Sequence, residues 1–295
     1  GQIPAARMID EFRFRAAGAA TAIYGVVGNN VMHSMSPVMH NAAFAAAGLD
    51  AVYVPLLAAD FGDFLTFADA LGMGGASVTI PYKLDALEAA QEAGGLSRAA
   101  GAANTLRRVQ GGRESLRESK SYEVAAAYFD SRNDSRPHGW EATNTDVQGF
   151  LDPLEAIYPR SLKGARAAVM GAGGAARAAA VALVSRGAQV TVHARRREQA
   201  CESAAGRGAE AGGWPPPAGS WDLLVNCTPL GGPSTRTETP LPGGPFDGAL
   251  VYDLTYSGVD TPLLREARAA GCLTLDGLPM LIAQAERQFE WWTGQ

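Results

Sequence analysis

One segment limits the possible folds more than any other: "ARAAVMGAGGAARAAAVALVSRGAQVTVHARRRE", residues 165–198. The apolar run "ARAAVM" reads as a strand, "GAGGAA" as a glycine loop, and the alanine-rich stretch to Arg186 as a helix closed by Gly187. The strand "QVTVH" follows, which makes a βαβ opening. Within the loop, Gly171 suits the tight turn and Gly173 lets backbone N–H groups approach a pyrophosphate, whose charge the helix N-terminus favours. A purely structural glycine turn is the competing reading. The strand before the loop and the helix after it favour nucleotide binding. Ala176 takes the place of the third glycine and is small enough for it.

The end of the second strand separates the possible cofactors. An NAD site would place a carboxylate about 20 residues beyond the loop, on the ribose 2′-hydroxyl. This chain has "HARRRE" there, with Arg195, Arg196 and Arg197. Guanidinium groups pair with a 2′-phosphate that a carboxylate would repel, so NADP is expected rather than NAD. Three arginines on a merely solvated surface are the alternative.

At 295 residues, two domains fit the chain better than one. Upstream, "AIYGVVG" (22–28), a helical stretch at 37–48, "AVYVPLL" (51–57), another at 60–71 and "GASVTIP" (75–81) alternate strand with helix, so an α/β domain is expected there too. Downstream, "WDLLVNCTPLGG" and "ALVYDLTY" are apolar strands running into loops of the kind that line the crevice of a doubly wound sheet. An amphipathic helix at roughly 278–292 ends the chain. Residues 109–138 break the rhythm and read as a polar surface insertion, with a lid or partner-binding role as the alternative.

Composition excludes several classes. Hydrophobic residues at 47 % and charged residues at 19 % rule out a wholly disordered chain, and the net charge of −5 argues against a general nucleic-acid binder. No apolar run of about 18 residues is present, so no membrane span is expected. Cys201, Cys227 and Cys272 lack metal-ligand spacing and read as free thiols of a reducing, cytoplasmic compartment.

Four further places can carry chemistry. Only three lysines stand against 22 arginines, and one of them, Lys83, follows "SVTIPY"; lysine can give up a proton where arginine cannot, although a surface lysine would look the same. Asn104 and Asp146 sit at the ends of apolar runs, where they can bind a polyol or cap helices. In "HSMSP", His33 and His40 lack the convergent ligands of a zinc site, and neither serine sits on a hydrolase elbow. Ser34 and Ser36, near the N-terminus of a helix starting around Pro37, are left as hydroxyls suited to a carboxylate.

The blocks "HSMSPVMHN", "SVTIPYK", "GAANTL", "NTDVQGF", "GAGGAAR", "NCTPLGG", "DLTY" and "GLPMLIAQAERQFEWWTG" together resemble the shikimate dehydrogenase family, in order and over nearly the whole chain. The resemblance implies reversible reduction of 3-dehydroshikimate by NADPH, on the path to the aromatic amino acids. It implies that Ser34 and Ser36 hold the substrate carboxylate, that Thr79, Asn104, Asp146, Tyr256 and Gln284 surround the ring hydroxyls, and that Lys83 and Asp146 are the catalytic pair. On the cofactor side it implies Gly171, Ala172, Gly173, Gly174 and Ala175, the region Ala194, Arg195 and Arg196, and Thr228, Leu254, Gly277 and Met280. The chain departs from the family at Ser77, where many members have Asn, and at Ala194 and Arg196, which replace the Asn and Thr of an "NRT" motif.

The expected architecture is two α/β domains flanking a cleft, the second a Rossmann-type doubly wound sheet. Residues 1–146 with 276–295 would bind substrate, and 147–275 would bind NADP. The opening "GQIPAARMIDEFRFRAAGAATAIYG" is similar to the junction that follows a dehydroquinate dehydratase in fused proteins, so a fused or neighbouring dehydratase is an expected partner. No metal is expected, and the assembly is expected to be a monomer or homodimer. The rival readings are an NAD-dependent quinate/shikimate dehydrogenase and a non-catalytic sensor of the same metabolite.

Overall fold

A computed structural model describes residues 4–109, 139–256 and 258–295, so the insertion expected at 109–138 lies, beyond Val109, outside the described residues. The chain divides into two compact units: Gly1–Gly94 with Ala103–Thr143 and Trp292–Gln295, and Gly95–Ala102 with Asn144–Trp291.

The first unit starts with the short helix α1 (Ala5–Asp10) and is built on six strands: β1 (Ala22–Gly28), β2 (Ala51–Leu57), β3 (Gly75–Val78), β4 (Glu92–Ala93), β5 (Thr105–Arg108) and β6 (Trp140–Thr143), ordered β2-β1-β3-β5-β6-β4. β1 runs parallel to β2 and β3, and β5 antiparallel to β3 and β6. Helices α2 (Ser36–Ala46) and α3 (Phe61–Ala70) make the crossovers that parallel pairing requires. Asp60 caps α3, its carboxylate accepting from the Asp63 N–H at 3.0 Å. Phe61, Phe64 and Ala68 then bury one helix face with Val27, Ala76, Val78 and Leu106. Elsewhere in the unit Asn41 of α2 satisfies both backbone groups of Tyr53, donating to its carbonyl and accepting from its N–H at 2.8 Å each. His40 stacks on the Tyr53 ring at 4.4 Å, and Trp292 packs on Tyr24 and donates to the Leu106 carbonyl at 3.0 Å. The helix α4 (Lys83–Ala89) follows β3 after a short turn.

The second unit contains β7 (Arg166–Met170), β8 (Gln189–His193), β9 (Glu210–Gly212), β10 (Leu223–Asn226), β11 (Leu250–Asp253) and β12 (Leu273–Leu275), all parallel and ordered β12-β11-β10-β7-β8-β9. In this doubly wound order the chain progresses outward from β7 to one edge and then, from β10, to the other, and such sheets bind ligands where the direction reverses. The helices are α5 (Gly95–Ala100), α6 (Asp146–Ile157), α7 (Gly174–Ser185), α8 (Arg197–Ala204), α9 (Pro262–Ala269) and α10 (Leu278–Thr293). Alanines explain the close packing of α7: Ala176, Ala178, Ala179, Ala180 and Ala182 are all buried in the main core with Leu183, Phe150 and Leu154. The sequence motifs put the domain boundary at 146 and residues 276–295 in the first domain; by packing, α10 groups with the second unit through Trp291.

Helix α10 lies against α6 so closely that a Cβ at Gly149 would fall 2.8 Å from the Gln284 Cβ and 2.9 Å from its backbone nitrogen. Overpacking of this kind costs about 1–3 kcal/mol. Gly149→Ala is therefore expected to lower the urea midpoint of unfolding; an unchanged midpoint would mean that the two helices separate without cost.

Candidate active site

The glycine loop follows β7 directly. Gly171 has φ +117°, a conformation that L side chains rarely adopt, and a Cβ there would lie 3.1 Å from the Cys227 carbonyl. Gly173 is extended and is the N-cap of α7, with no side-chain cap; a Cβ on it would meet nothing within 4 Å. The first-turn N–H groups of α7, from Gly174 and Ala175 onward, thus head a helix whose entrance is open, and no carboxylate stands in its first turn. Such a terminus suits an anion. Ala172 packs on the main core.

At the end of β8, Ala194 is buried while Arg195, Arg196 and Arg197 are exposed, with Arg196 at the N-cap of α8. Three guanidinium groups at the end of β8 and the N-terminus of α8 carry the charge and donors that suit a phosphate. The open glycine loop and this arginine cluster together fit NADP(H).

The loops after β10 and β11 are held by buried side chains. Asn226 accepts from the Thr228 N–H and hydroxyl at 2.9 and 2.7 Å and donates to Asp253 at 2.9 Å. Asp253 also accepts from the Thr255 N–H and hydroxyl and from the Thr261 hydroxyl. Gly277 donates to the Thr255 carbonyl at 3.1 Å and approaches Leu254 so closely that a Cβ would fall 2.2 Å from the Leu254 oxygen. Met280 is buried in the main core one turn into α10.

In the first unit, α2 begins at Ser36, with Pro37 in its first turn, and the Ser36 N–H donates to the Ser34 hydroxyl at 3.2 Å. Ser34 is half-buried and Ser36 buried. The Thr79 N–H extends the β3–β1 ladder by donating to the Val27 carbonyl, and four residues later Lys83, half-buried, opens α4. The Lys83 carbonyl accepts from Ala103, which brings the next residue, Asn104, back beside β3, where its carbonyl accepts from Val78 at 2.7 Å. The Asn104 side chain is buried and accepts from the Thr105 hydroxyl at 2.8 Å. Ser77 is buried with its hydroxyl 2.6 Å from that of Tyr53.

The second unit holds the other expected substrate residues. Asp146 is buried at the first position of α6, its N–H donating to Asn144, whose amide in turn donates to the Ala102 carbonyl. Gln284 is buried on α10 and donates to the Leu281 carbonyl at 2.9 Å. Tyr256 follows β11 and is half-buried. Among the described residues no group of three or more His, Cys, Asp or Glu side chains could hold a metal ion, and no helix is long and apolar enough to cross a membrane.

Residues 26–106 match the shikimate dehydrogenase substrate binding domain, and residues 277–295 the shikimate 5′-dehydrogenase C-terminal domain. A shikimate dehydrogenase (NADP(+)) from Anaeromyxobacter dehalogenans is 39 % identical over 288 residues, covering 93 % of this chain and 92 % of that protein. This chain belongs to the shikimate dehydrogenase family. Among family structures, that of the Thermus thermophilus shikimate 5-dehydrogenase in complex with NADP(H) and shikimate aligns with TM-score 0.75 at 32 % identity, covering 93 % of this chain and 94 % of that one. A quinate dehydrogenase from Corynebacterium glutamicum in complex with NAD aligns with TM-score 0.74 at 27 % identity, with the same coverage.

The sequence motifs single out Thr228, Leu254 and Tyr256 but leave unmarked Asn226, Asp253, Thr255 and Asn144, which hold those segments and the start of α6. All four lie inside the motifs themselves; for Asn226 and Asp253 the signal that finds them is an Asn or Asp at a parallel strand's last position, facing the next loop. His193, the last residue of β8, is equally unmarked in the sequence. It is buried, and its Nδ1–H donates to the Gly213 carbonyl at 2.6 Å. Burial pushes its pKa below the usual imidazole range, against that hydrogen bond. A depressed histidine pKa means that the unfolded chain binds the proton first, so stability is full above about pH 6.5 and falls as pH drops from there toward the folded-state pKa. Thermal melts should show that decline, and His193→Gln, which keeps a donor for Gly213, should flatten it; identical slopes would take His193 out of the acid response.

Proposed function

We propose that this chain catalyses the reversible, NADPH-dependent reduction of 3-dehydroshikimate to shikimate. The observation that carries the reading is likeness over 93 % of the chain to a shikimate dehydrogenase (NADP(+)), and the arginines at the α8 N-terminus support it from the chain's own chemistry. Bound NADPH would supply a hydride to the ketone carbon. Ser34, Ser36 and the first turn of α2 offer hydroxyl and N–H donors to the substrate carboxylate. Thr79, Asn104, Asp146, Tyr256 and Gln284 supply hydrogen-bonding groups for the ring hydroxyls, which favours a polyol over an apolar substrate.

As the ketone becomes an alkoxide, the Lys83 ammonium stabilises the oxygen's charge and delivers its proton, and Asp146 accepts a hydrogen bond from a ring hydroxyl. Lys83 and Asp146 act in this reading as the acid–base pair. General acid assistance contributes roughly 10²- to 10⁴-fold, so Lys83→Ala should lower kcat by about that factor while circular dichroism stays unchanged. A kcat close to the parent value would remove Lys83 from the chemistry.

The likeness to an NAD-bound quinate dehydrogenase makes quinate oxidation with NAD the alternative to test. The deciding assay follows NADPH oxidation with 3-dehydroshikimate beside NADH, and the reverse reaction with shikimate and quinate. Turnover much faster with NADPH than NADH, and with shikimate rather than quinate in the reverse direction, supports the proposal, and preferred turnover of quinate with NAD defeats it. In the same assay, Arg195→Ala and Arg196→Ala should each raise the KM for NADPH about tenfold and leave the slow NADH reaction unchanged, since a charge-assisted pair to phosphate is worth about 1.5–3 kcal/mol. Equal losses with both cofactors would show that the arginines do not read the phosphate.

A further inference from the structure

Asp253 ends β11 with no exposed surface. Its Oδ1 accepts from the Asn226 amide at 2.9 Å, the Thr255 N–H at 3.1 Å and the Thr255 hydroxyl at 2.8 Å; its Oδ2 accepts from the Thr261 hydroxyl at 2.6 Å. All four donors are neutral. Burial raises the carboxyl pKa, while these hydrogen bonds oppose the rise. A point that only needed filling would be served at lower cost by an apolar side chain, because taking a carboxylate out of water without a cation is expensive. What the carboxylate does that an apolar group cannot is collect donors from the point where the loop after β10 begins and from both ends of the loop after β11.

Those loops are the ones that carry the expected cofactor contacts. Asn226 passes the constraint to Thr228, whose N–H and hydroxyl both donate to the Asn226 oxygen, and its amide reaches the Leu230 carbonyl at 3.2 Å. Thr255 is held directly, and with it the neighbouring Leu254; the Thr255 carbonyl then receives the Gly277 N–H. Thr261 also caps α9 through the Leu264 N–H, which ties the far end of the loop to a helix. The Asp253 side chain therefore ties the end of β10 to both ends of the loop after β11, and the segment after β12 joins them through the Thr255 carbonyl.

We propose that Asp253 is a positioning residue for the cofactor: it sets Thr228 through Asn226, Leu254 through Thr255, and Gly277 through the Thr255 carbonyl. The inference rests on the nucleotide reading given above. Hydrogen bonds to an ion are shorter and stronger than neutral ones, which suits loops whose backbone must stay within a fraction of an ångström of a bound ligand.

The test measures NADPH affinity by fluorescence titration of the intact protein, alongside thermal stability and the KM for 3-dehydroshikimate at saturating NADPH. Asp253→Asn keeps the shape and removes the charge; it should raise the Kd for NADPH about tenfold and change the substrate KM less than about twofold, by the usual loss on weakening a charged hydrogen bond. Thr261→Val removes one donor without touching an expected cofactor residue and should weaken NADPH binding in the same direction, while Thr261→Ser restores it. If Asp253→Asn does not fold, the Thr261 pair decides. Unchanged NADPH affinity in the folded variants, or parallel losses of cofactor affinity and substrate KM, would overturn the proposal and leave Asp253 a structural residue. Failure of the unaltered protein to bind NADPH or turn over 3-dehydroshikimate would instead defeat the nucleotide reading itself.

Discussion

The sheet of the second unit does not stop at its strand ends. The Gly171 N–H donates to the His193 carbonyl, Cys227 to Met170 and Leu254 to Asn226, each bond continuing the ladder one residue beyond the strand. The first residue of each of these loops therefore leaves the sheet in a fixed register with its neighbour. Once that is so, the positive φ of Gly171 turns the chain into α7, and Cys227 closes against its back. Backbone pairing among parallel strands thus sets the entrance and the back of the glycine turn without help from hydrogen-bonding side chains.

The features legible in the sequence are those written in local patterns. The glycine loop, the cap at Gly187, the helix opening near Pro37 and the terminal helix all depend on residues a few positions apart, and α7, α2 and α10 form where those signals stand. The arginine run is likewise local, and α8 presents it at its N-terminus. Features set by long-range register were not legible. Asn226 and Asp253 are 27 positions apart, and nothing in either motif tells that their side chains meet at 2.9 Å. Asn41 looks like one more polar residue on α2 until β2 is placed beside it and both backbone groups of Tyr53 find it. Trp292, near the end of an amphipathic helix, reads as surface or core alike; its ring in the first unit's aromatic cluster depends on where the whole chain returns.

The same distinction bears on the departures from family pattern. Ser77 looks in the sequence like a shortened Asn. In the fold its hydroxyl is buried against that of Tyr53, so its side chain belongs to a network that also runs through Asn41 by way of the Tyr53 backbone. An Asn at this position would have to reorganise the Tyr53 contact, because an amide is longer than a hydroxyl and brings two donors. The change is thus coupled to the residues of β2 and α2, not confined to a substrate contact.

Electrostatics makes placement matter more than composition. The chain carries a net charge of −5, while shikimate is a carboxylate and NADP a dinucleotide bearing an additional phosphate. A negative protein can hold such ligands only if local positive potential outweighs the global repulsion, and screening helps by confining the repulsion to about a Debye length of 8 Å at physiological salt. The structure supplies local potential in two forms. Helix N-termini at Ser36, Gly174 and Arg197 present N–H groups, and Arg195–Arg197 add formal charge at the terminus where a 2′-phosphate would stand. Lys83 is the remaining candidate cation named at the site, and it belongs to the first unit with the two serines. Asp253 is a negative group apart from these, buried beneath the loops after β10 and β11 and held by neutral donors alone, so its charge orders the N–H and O–H groups of those loops and adds nothing to the positive potential.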